Sequence, residues 1–314
     1  MAEVPSTSVS TPAPPSRTRL VLGFLVIYIV WGSTYLAIRW SVETIPPFFM
    51  GSVRFLIAGG LLYGYCRWRG AAAPTAKEWR GSAIVGLLLL VVGNGAVAWS
   101  EQRVSSSMTS LMVATVPLWL VLCELVQGQR PGLAKWAGVA LGLVGVALLV
   151  LPAGGDLRSA AVEPAGAVVL LIGTLAWTIG SLYSRTAKLA KPAALAISMQ
   201  MIAGGLMLGI VSGVTGEWPR VHPEAITMTS LYSVAYLIVF GSLIGFSTYM
   251  WLLTVASPTA VGTYAYVNPM VAVLLGVTLA GERMPAQALV AMLVIVSGVA
   301  MVSFGGQFGR KLSS

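Results

Sequence analysis

Runs of mostly apolar residues recur along the chain, each about 20 residues long, which is what an α-helix needs to cross the hydrocarbon core of a bilayer. They fall near residues 20–40, 47–66, 81–99, 107–126, 134–151, 165–184, 193–213, 229–253, 259–280 and 285–304. The joins are short and rich in turn formers, as in Pro46-Pro47, Gly128-Gln129-Arg130-Pro131-Gly132 and Ser257-Pro258. Ten such runs predict an all-α membrane protein with no extramembrane domain between spans. Composition agrees. The chain is 57% hydrophobic and 9% charged, where an ordinary soluble chain is about 25% charged, so a soluble fold could not cover its apolar surface.

Residues 1–19 are rich in Ser, Thr, Pro and Ala and read as a disordered tail, with a second short tail at 305–314. The first apolar run follows Arg17 and Arg19, is as long as a full span and lacks a small-residue cleavage site at its end, so it reads as an uncleaved helix. The net charge of +9 is spread over short loops rather than one face or arm, which argues against nucleic acid as a partner. With the amino terminus in the cytoplasm, the inner side carries Arg17, Arg19, Arg67, Arg69, Lys77, Arg80, Arg130, Lys135, Arg185, Lys188, Lys191, Arg310 and Lys311. The outer loops carry Arg39, Arg103, Arg158, Arg220 and Arg283, and thirteen against five is a positive-inside bias. An even span count then predicts both termini in the cytoplasm.

Enzyme chemistry has little to work with. The sole histidine, His222, sits in a loop beside Pro223, and no Ser-His, Cys-His or paired mid-membrane carboxylates can be drawn. Cys66 and Cys123 both lie in apolar runs, so neither a disulfide framework nor a metal site is indicated and no cofactor is implied. The expected partners are a small-molecule substrate and membrane lipid.

The two halves repeat. Trp31 precedes Arg39 by eight residues, as Trp177 precedes Arg185, and Pro117 follows Ser105 by twelve, as Pro269 follows Ser257. Gly128-Gln129-Arg130 followed by Gly145-Val146-Ala147 is matched by Gly281-Glu282-Arg283 followed by Gly298-Val299-Ala300. The offsets of 146, 152 and 153 drift only as loop lengths allow. A first repeat at 20–151 and a second at 164–304 would each hold five helices. An odd number makes the second copy start from the opposite side of the membrane, so the repeat is inverted. Such a repeat suits alternating access, because the halves can exchange shapes around a central site.

At these residues the chain resembles an EamA-type permease of the drug/metabolite transporter superfamily, over essentially all of 20–304. The stretches that carry the resemblance are Trp31-Gly32-Ser33-Thr34-Tyr35 with Arg39, Val53-Arg54-Phe55, Gly93-Asn94-Gly95, Ser105 to Trp119, and Tyr264-Ala265-Tyr266-Val267-Asn268-Pro269 before Gly281-Glu282. The resemblance implies two EamA repeats around a central cavity in a bacterial inner membrane, export of a small metabolite such as an amino acid or drug-like compound, and no catalysis. A passive channel, or a membrane scaffold or receptor subunit, remains the alternative.

Arg54 is the one basic residue well inside a span, where its burial costs about 2.5–3.5 kcal/mol and calls for a partner or a wet cavity. Asn94 and Glu101 lie at a compatible depth. Arg54 could hold an anionic substrate group, join an outer gate, or be a structural pair. Glu124 lies near an inner span end, which favours interfacial pairing over a proton relay. Pro117 and Pro269 fall mid-span at matching positions and should break their helices. The expected substrate path lies between the halves, lined by Trp31, Ser33, Tyr35, Arg54, Asn94, Thr115, Trp177, Ser181, Tyr264, Tyr266 and Asn268, which join polar groups costly to face lipid with aromatic walls.

Overall fold

A computed structural model describes residues 16–103, 109, 112–150, 164–280 and 286–311, and among them there is no strand. The first half contains α1 (Arg17–Val42), α2 (Pro47–Trp68), α3 (Ala76–Ser100), α4 (Val116–Val126) and α5 (Leu133–Val150). The second contains α6 (Pro164–Ser184), α7 (Ala193–Val214), α8 (Met228–Val255), the short α9 (Pro258–Gly262), α10 (Tyr264–Ala280) and α11 (Ala286–Lys311). Local chemistry sets several boundaries. Pro47 opens α2 at a position where a missing N–H costs nothing, and Gly70, at φ +84°, turns the chain out of it. Thr75 and Glu78 close a reciprocal capping box at the start of α3.

Among the described residues six helices, α1, α2, α3, α6, α7 and α8, are long and apolar enough to cross a membrane, and α4, α5 and α11 contribute the shorter apolar stretches Val116–Val126, Leu133–Leu148 and Leu289–Val302. Large aliphatic side chains such as Leu22, Ile29, Leu61, Ile210 and Leu293 are more than half exposed, the surface a bilayer would cover. Four expectations need revision or lie out of view. The ninth predicted span is divided at Thr263, whose hydroxyl donates back to the Ala260 carbonyl at 2.6 Å, so the interruption precedes Pro269, which sits inside α10. Pro117 lies in the first turn of α4 after a turn at Ala114–Thr115, so it starts a helix and does not kink one. Ser105 and Gly281-Glu282-Arg283 lie outside the described residues. At the chain's end α11 continues through residues assigned to a tail, to Lys311.

Both α3 and α8 widen into π-helix at their centres, over Leu87–Asn94 and Leu237–Phe246. The pairing of helices follows the repeat. Helix α2 packs along its own mate α7, and α5 along its mate α11. A Cβ added to Gly59 would stand 2.9 Å from the Ile202 nitrogen, and one added to Gly205 would stand 3.0 Å from the Leu56 nitrogen. The steps from 56 to 202 and from 59 to 205 are both 146, so one contact is the other with its partners exchanged. Gly145 against Ile295 and Gly298 against Gly142 are related in the same way by a step of 153. Exchange of this kind requires an approximate two-fold axis between the halves, which an inverted repeat places in the membrane plane.

Candidate functional site

The axis passes through an aromatic cluster. Trp31 of α1 and its mate Trp177 of α6 touch edge to face, ring centroids 5.6 Å apart. Gly245 of α8 makes room for Trp31, and Gly93 of α3, which precedes it by 152, makes room for Trp177. Tyr249 and Tyr264 complete the cluster, each with its ring centroid 4.9 Å from that of Trp31. Hydrogen bonds hold the rings. The Trp31 indole donates to the Gly241 carbonyl at 3.2 Å, the Trp177 indole donates to the Tyr249 hydroxyl at 2.8 Å, and Ser181 shares a 2.6 Å bond with that hydroxyl.

Above the cluster, toward the end of the bundle that holds the α1 C-terminus, lies a cavity with about 690 Å³ of empty space, its mouth included. From α1 it takes Trp31, Thr34, Tyr35 and Ile38, a single stripe at helical spacing. Arg54 and Phe55 come from α2, Gly93 and Asn94 from α3, and Thr174 and Trp177 from α6, while Gly241 and Phe246 come from α8 and Tyr264 and Asn268 from α10. Seven of the eleven residues expected on the path therefore share one wall: Trp31, Tyr35, Arg54, Asn94, Trp177, Tyr264 and Asn268.

The other four do not line this cavity. Ser33 is off the α1 stripe and bonds the Tyr236 hydroxyl at 2.7 Å. Thr115 donates to the Met112 carbonyl at 2.7 Å. Ser181 lies on the far side of the aromatic cluster, bound to Tyr249. Tyr266 is two residues from Tyr264, about 200° around the helix, and its ring packs on Gly142 of α5 instead.

Arg54 is 4% exposed, and its partner is neither Asn94 nor Glu101. Its Nε donates to Ser242 at 2.8 Å, while Nη1 is buried without any partner. Glu101 also has both carboxylate oxygens buried and unpartnered, with Arg39 as the nearby positive charge. Asn268, with its amide turned so that nitrogen donates, reaches the Tyr28 carbonyl at 3.3 Å and the Tyr264 carbonyl at 3.0 Å.

The opposite end of the bundle is shut. Tyr28 and Thr263 share a 2.7 Å hydroxyl bond, and Leu120 packs on Gly262. Glu124 is paired, in keeping with its position near a span end. It takes Lys135 at 2.7 Å on one oxygen and Thr259 at 2.5 Å on the other, which ties α4 to both α5 and α9. Beyond this closure is a polar depression lined by Glu124, Gln127, Gln129, Lys135, Arg185 and Ser257 among others.

The model of the EamA-like transporter family matches the chain twice, over residues 18–151 and 164–304. The chain belongs to the EamA-like transporter family. Within that family it is 40% identical over 281 residues to the uncharacterized inner membrane transporter YedA of Escherichia coli, an alignment that covers 89% of each chain. It is 26% identical over 289 residues to Protein PecM of Dickeya dadantii, covering 90% of this chain and 91% of that one. A solved crystal structure shares the fold, with a TM-score of 0.73 at 21% identity over 95% of this chain and 100% of the other. This EamA protein is thus an integral membrane transporter of the drug/metabolite transporter superfamily.

Sequence reasoning missed Tyr249, Gly241, Ser242 and Thr174. The signal for the first was a second reading of the repeat, since Gly93 and Trp99 recur as Gly245 and Trp251 at the same step of 152. That register places Tyr249 one helical turn beyond Gly245, beside the two tryptophans.

Proposed function

We propose that this protein is a secondary carrier that exports a small metabolite by alternating access, with the solute held in the cavity between the repeats. The single observation that supports the reading best is the arrangement along the axis. A cavity on one side and a polar depression on the other are separated by the Trp31, Trp177, Tyr249 and Tyr264 cluster and by the Glu124, Thr259 and Lys135 contacts. A closed plug between two openings fits a carrier at one end of its cycle.

The contacts at the plug come as exchangeable mates, so a second conformation can reuse the same residues in swapped roles. Trp177 against Gly93 would loosen as Trp31 against Gly245 tightens, or the reverse, and packed cores switch between discrete arrangements in this way. The π segments of α3 and α8 border the cavity and are natural places for such adjustment. With ten spans and both termini in the cytoplasm, as the charge distribution favours, the cavity opens outward and the Glu124 contacts form the cytoplasmic gate. The bacterial inner membrane is the location that agrees with the name of YedA.

The test is counterflow in proteoliposomes. Vesicles preloaded with unlabelled solute should take up the labelled solute transiently above equilibrium, and Trp31→Ala or Asn268→Ala should depress this without depressing expression. A passive channel equilibrates label without overshoot and would end the carrier reading.

A further inference from the structure

The geometry points to a small organic anion as the solute, a monocarboxylate with an apolar or aromatic body whose charged group rests on Arg54; this deepens the carrier reading of the same cavity. Arg54 lines the cavity with Nη1 buried and unpartnered. Among the described residues no acidic side chain pairs with it. The ion pairs among the described residues are Lys135 with Glu124 and His222 with Glu224, and no carboxylate is among the residues that line the cavity. Glu101, at the end of α3, is outside that lining and lies near Arg39 and near Tyr35 of the wall, while Arg54 has no such neighbour among the described residues. The site thus carries one uncompensated positive charge in a water-poor setting, where an isolated ion is costly. A ligand with a single negative charge and two oxygens relieves that cost and can take a guanidinium edge in forked geometry. A cation placed beside the guanidinium would be repelled.

The repeat supplies an independent observation. The position that matches Arg54 in the second copy is Gln200, 146 residues on and fully buried. Around Arg54 the packing depends on a glycine: a Cβ on Gly241 would stand 2.8 Å from Nη2 and 3.3 Å from the Thr34 methyl, so the guanidinium occupies room that only a glycine leaves. The mates of Gly241 and Thr34 are Leu89 and Gly180, and there the Leu89 side chain fills the gap against Gly180. One copy thus gives the room beside the glycine to a guanidinium and the other gives it to a leucine, so the charge belongs to one half of the repeat alone. The remaining wall, with Trp31, Trp177, Val113 and Phe246, suits an apolar body rather than a second charge.

The experiment uses the full chain in detergent with three probes of similar size: benzoate, benzamide and benzylamine. Benzoate at millimolar concentration should raise the melting temperature and the other two should not, because a ligand bound only by the folded state stabilises it. Arg54→Gln should abolish the benzoate shift while the protein remains monodisperse. Arg54→Lys, which keeps charge but not the fork, should retain a response weakened roughly tenfold, and it carries the test if Arg54→Gln does not fold. Gly241→Ala should weaken benzoate by crowding the guanidinium. No benzoate shift in the unaltered protein, or a shift that survives Arg54→Gln, overturns the proposal. If benzamide or benzylamine binds and shows counterflow where benzoate does not, the anion proposal fails while the carrier reading stands. If benzoate binds through Arg54 but shows no counterflow, the anion site stands and the carrier reading fails.

Discussion

Replacing Glu124 by glutamine should loosen the closed end of the bundle, and the structure sets the size of the effect. Glu124 is buried, receives Thr259 at 2.5 Å and pairs with Lys135 at 2.7 Å. A buried hydrogen bond to a charged group is worth about 1.5–3 kcal/mol against about 0.5–1.5 for a neutral one. Glutamine keeps the acceptor for Thr259 and gives up the charge, a loss of about 1 kcal/mol. The Lys135 side chain is 26% exposed, so the ion pair is discounted for solvent and adds about 0.5–1 kcal/mol. Together these shift the balance between closed and open forms by at least roughly tenfold, whereas Lys135→Met, which leaves the Thr259 bond, should shift it only about two- to fivefold. The assay is the rate at which a small water-soluble thiol reagent reacts with Leu120→Cys, placed where Leu120 meets Gly262, in a Cys66→Ala, Cys123→Ala background. Glu124→Gln should speed that reaction at least about tenfold without lowering the yield of folded protein. Labelling at the unaltered rate would refute the latch and leave Glu124 as a surface pair without consequence.

Gly59→Ala should lower the melting temperature by an amount equivalent to about 1–3 kcal/mol, because its new methyl meets the Ile202 backbone at 2.9 Å, while Gly60→Ala next door meets nothing within 4 Å and should be neutral or stabilising. Tyr249→Phe should reduce transport and stability together, by about 1–3 kcal/mol, since it strands the Trp177 indole, while Ser181 keeps its bond to the Trp177 carbonyl; unchanged melting would argue that water replaces the indole's partner. Reporter fusions at Ala73 and Arg220 should signal from opposite sides of the membrane, and same-side signals would overturn the proposed topology.

The helical membrane fold was legible because hydropathy and short turn-rich joins leave few alternatives, and the repeat was legible where bulky or helix-breaking anchors recur, as with Trp31 and Trp177. Those two tryptophans led to the cavity because mates that touch must lie on the axis. Tyr249 escaped because its mate, Val97, is not aromatic, so comparing the halves residue by residue gives no matched pair there. The π segments have no compositional marker; nothing in Leu87–Asn94 or Leu237–Phe246 distinguishes a wide helix from an ordinary one. Ser33 and Tyr266 were assigned to the path by residue type, although helical spacing already separates Ser33 from the Trp31, Thr34, Tyr35 and Ile38 stripe and sets Tyr266 opposite Tyr264. The partner of Arg54 was out of reach, because Ser242 is 188 positions away and only the folded bundle brings it to the guanidinium.

Alternating access is tested most directly by two single cysteines in the same thiol-free background, Asn94→Cys on the cavity wall and Leu120→Cys at the closed end. In vesicles of known orientation, an impermeant thiol reagent should reach the two from opposite sides, and Glu124→Gln should speed Leu120→Cys labelling while slowing that of Asn94→Cys. Fast labelling of both positions from one side, or rates that rise together, would contradict a carrier with a single plug and describe an open pore instead.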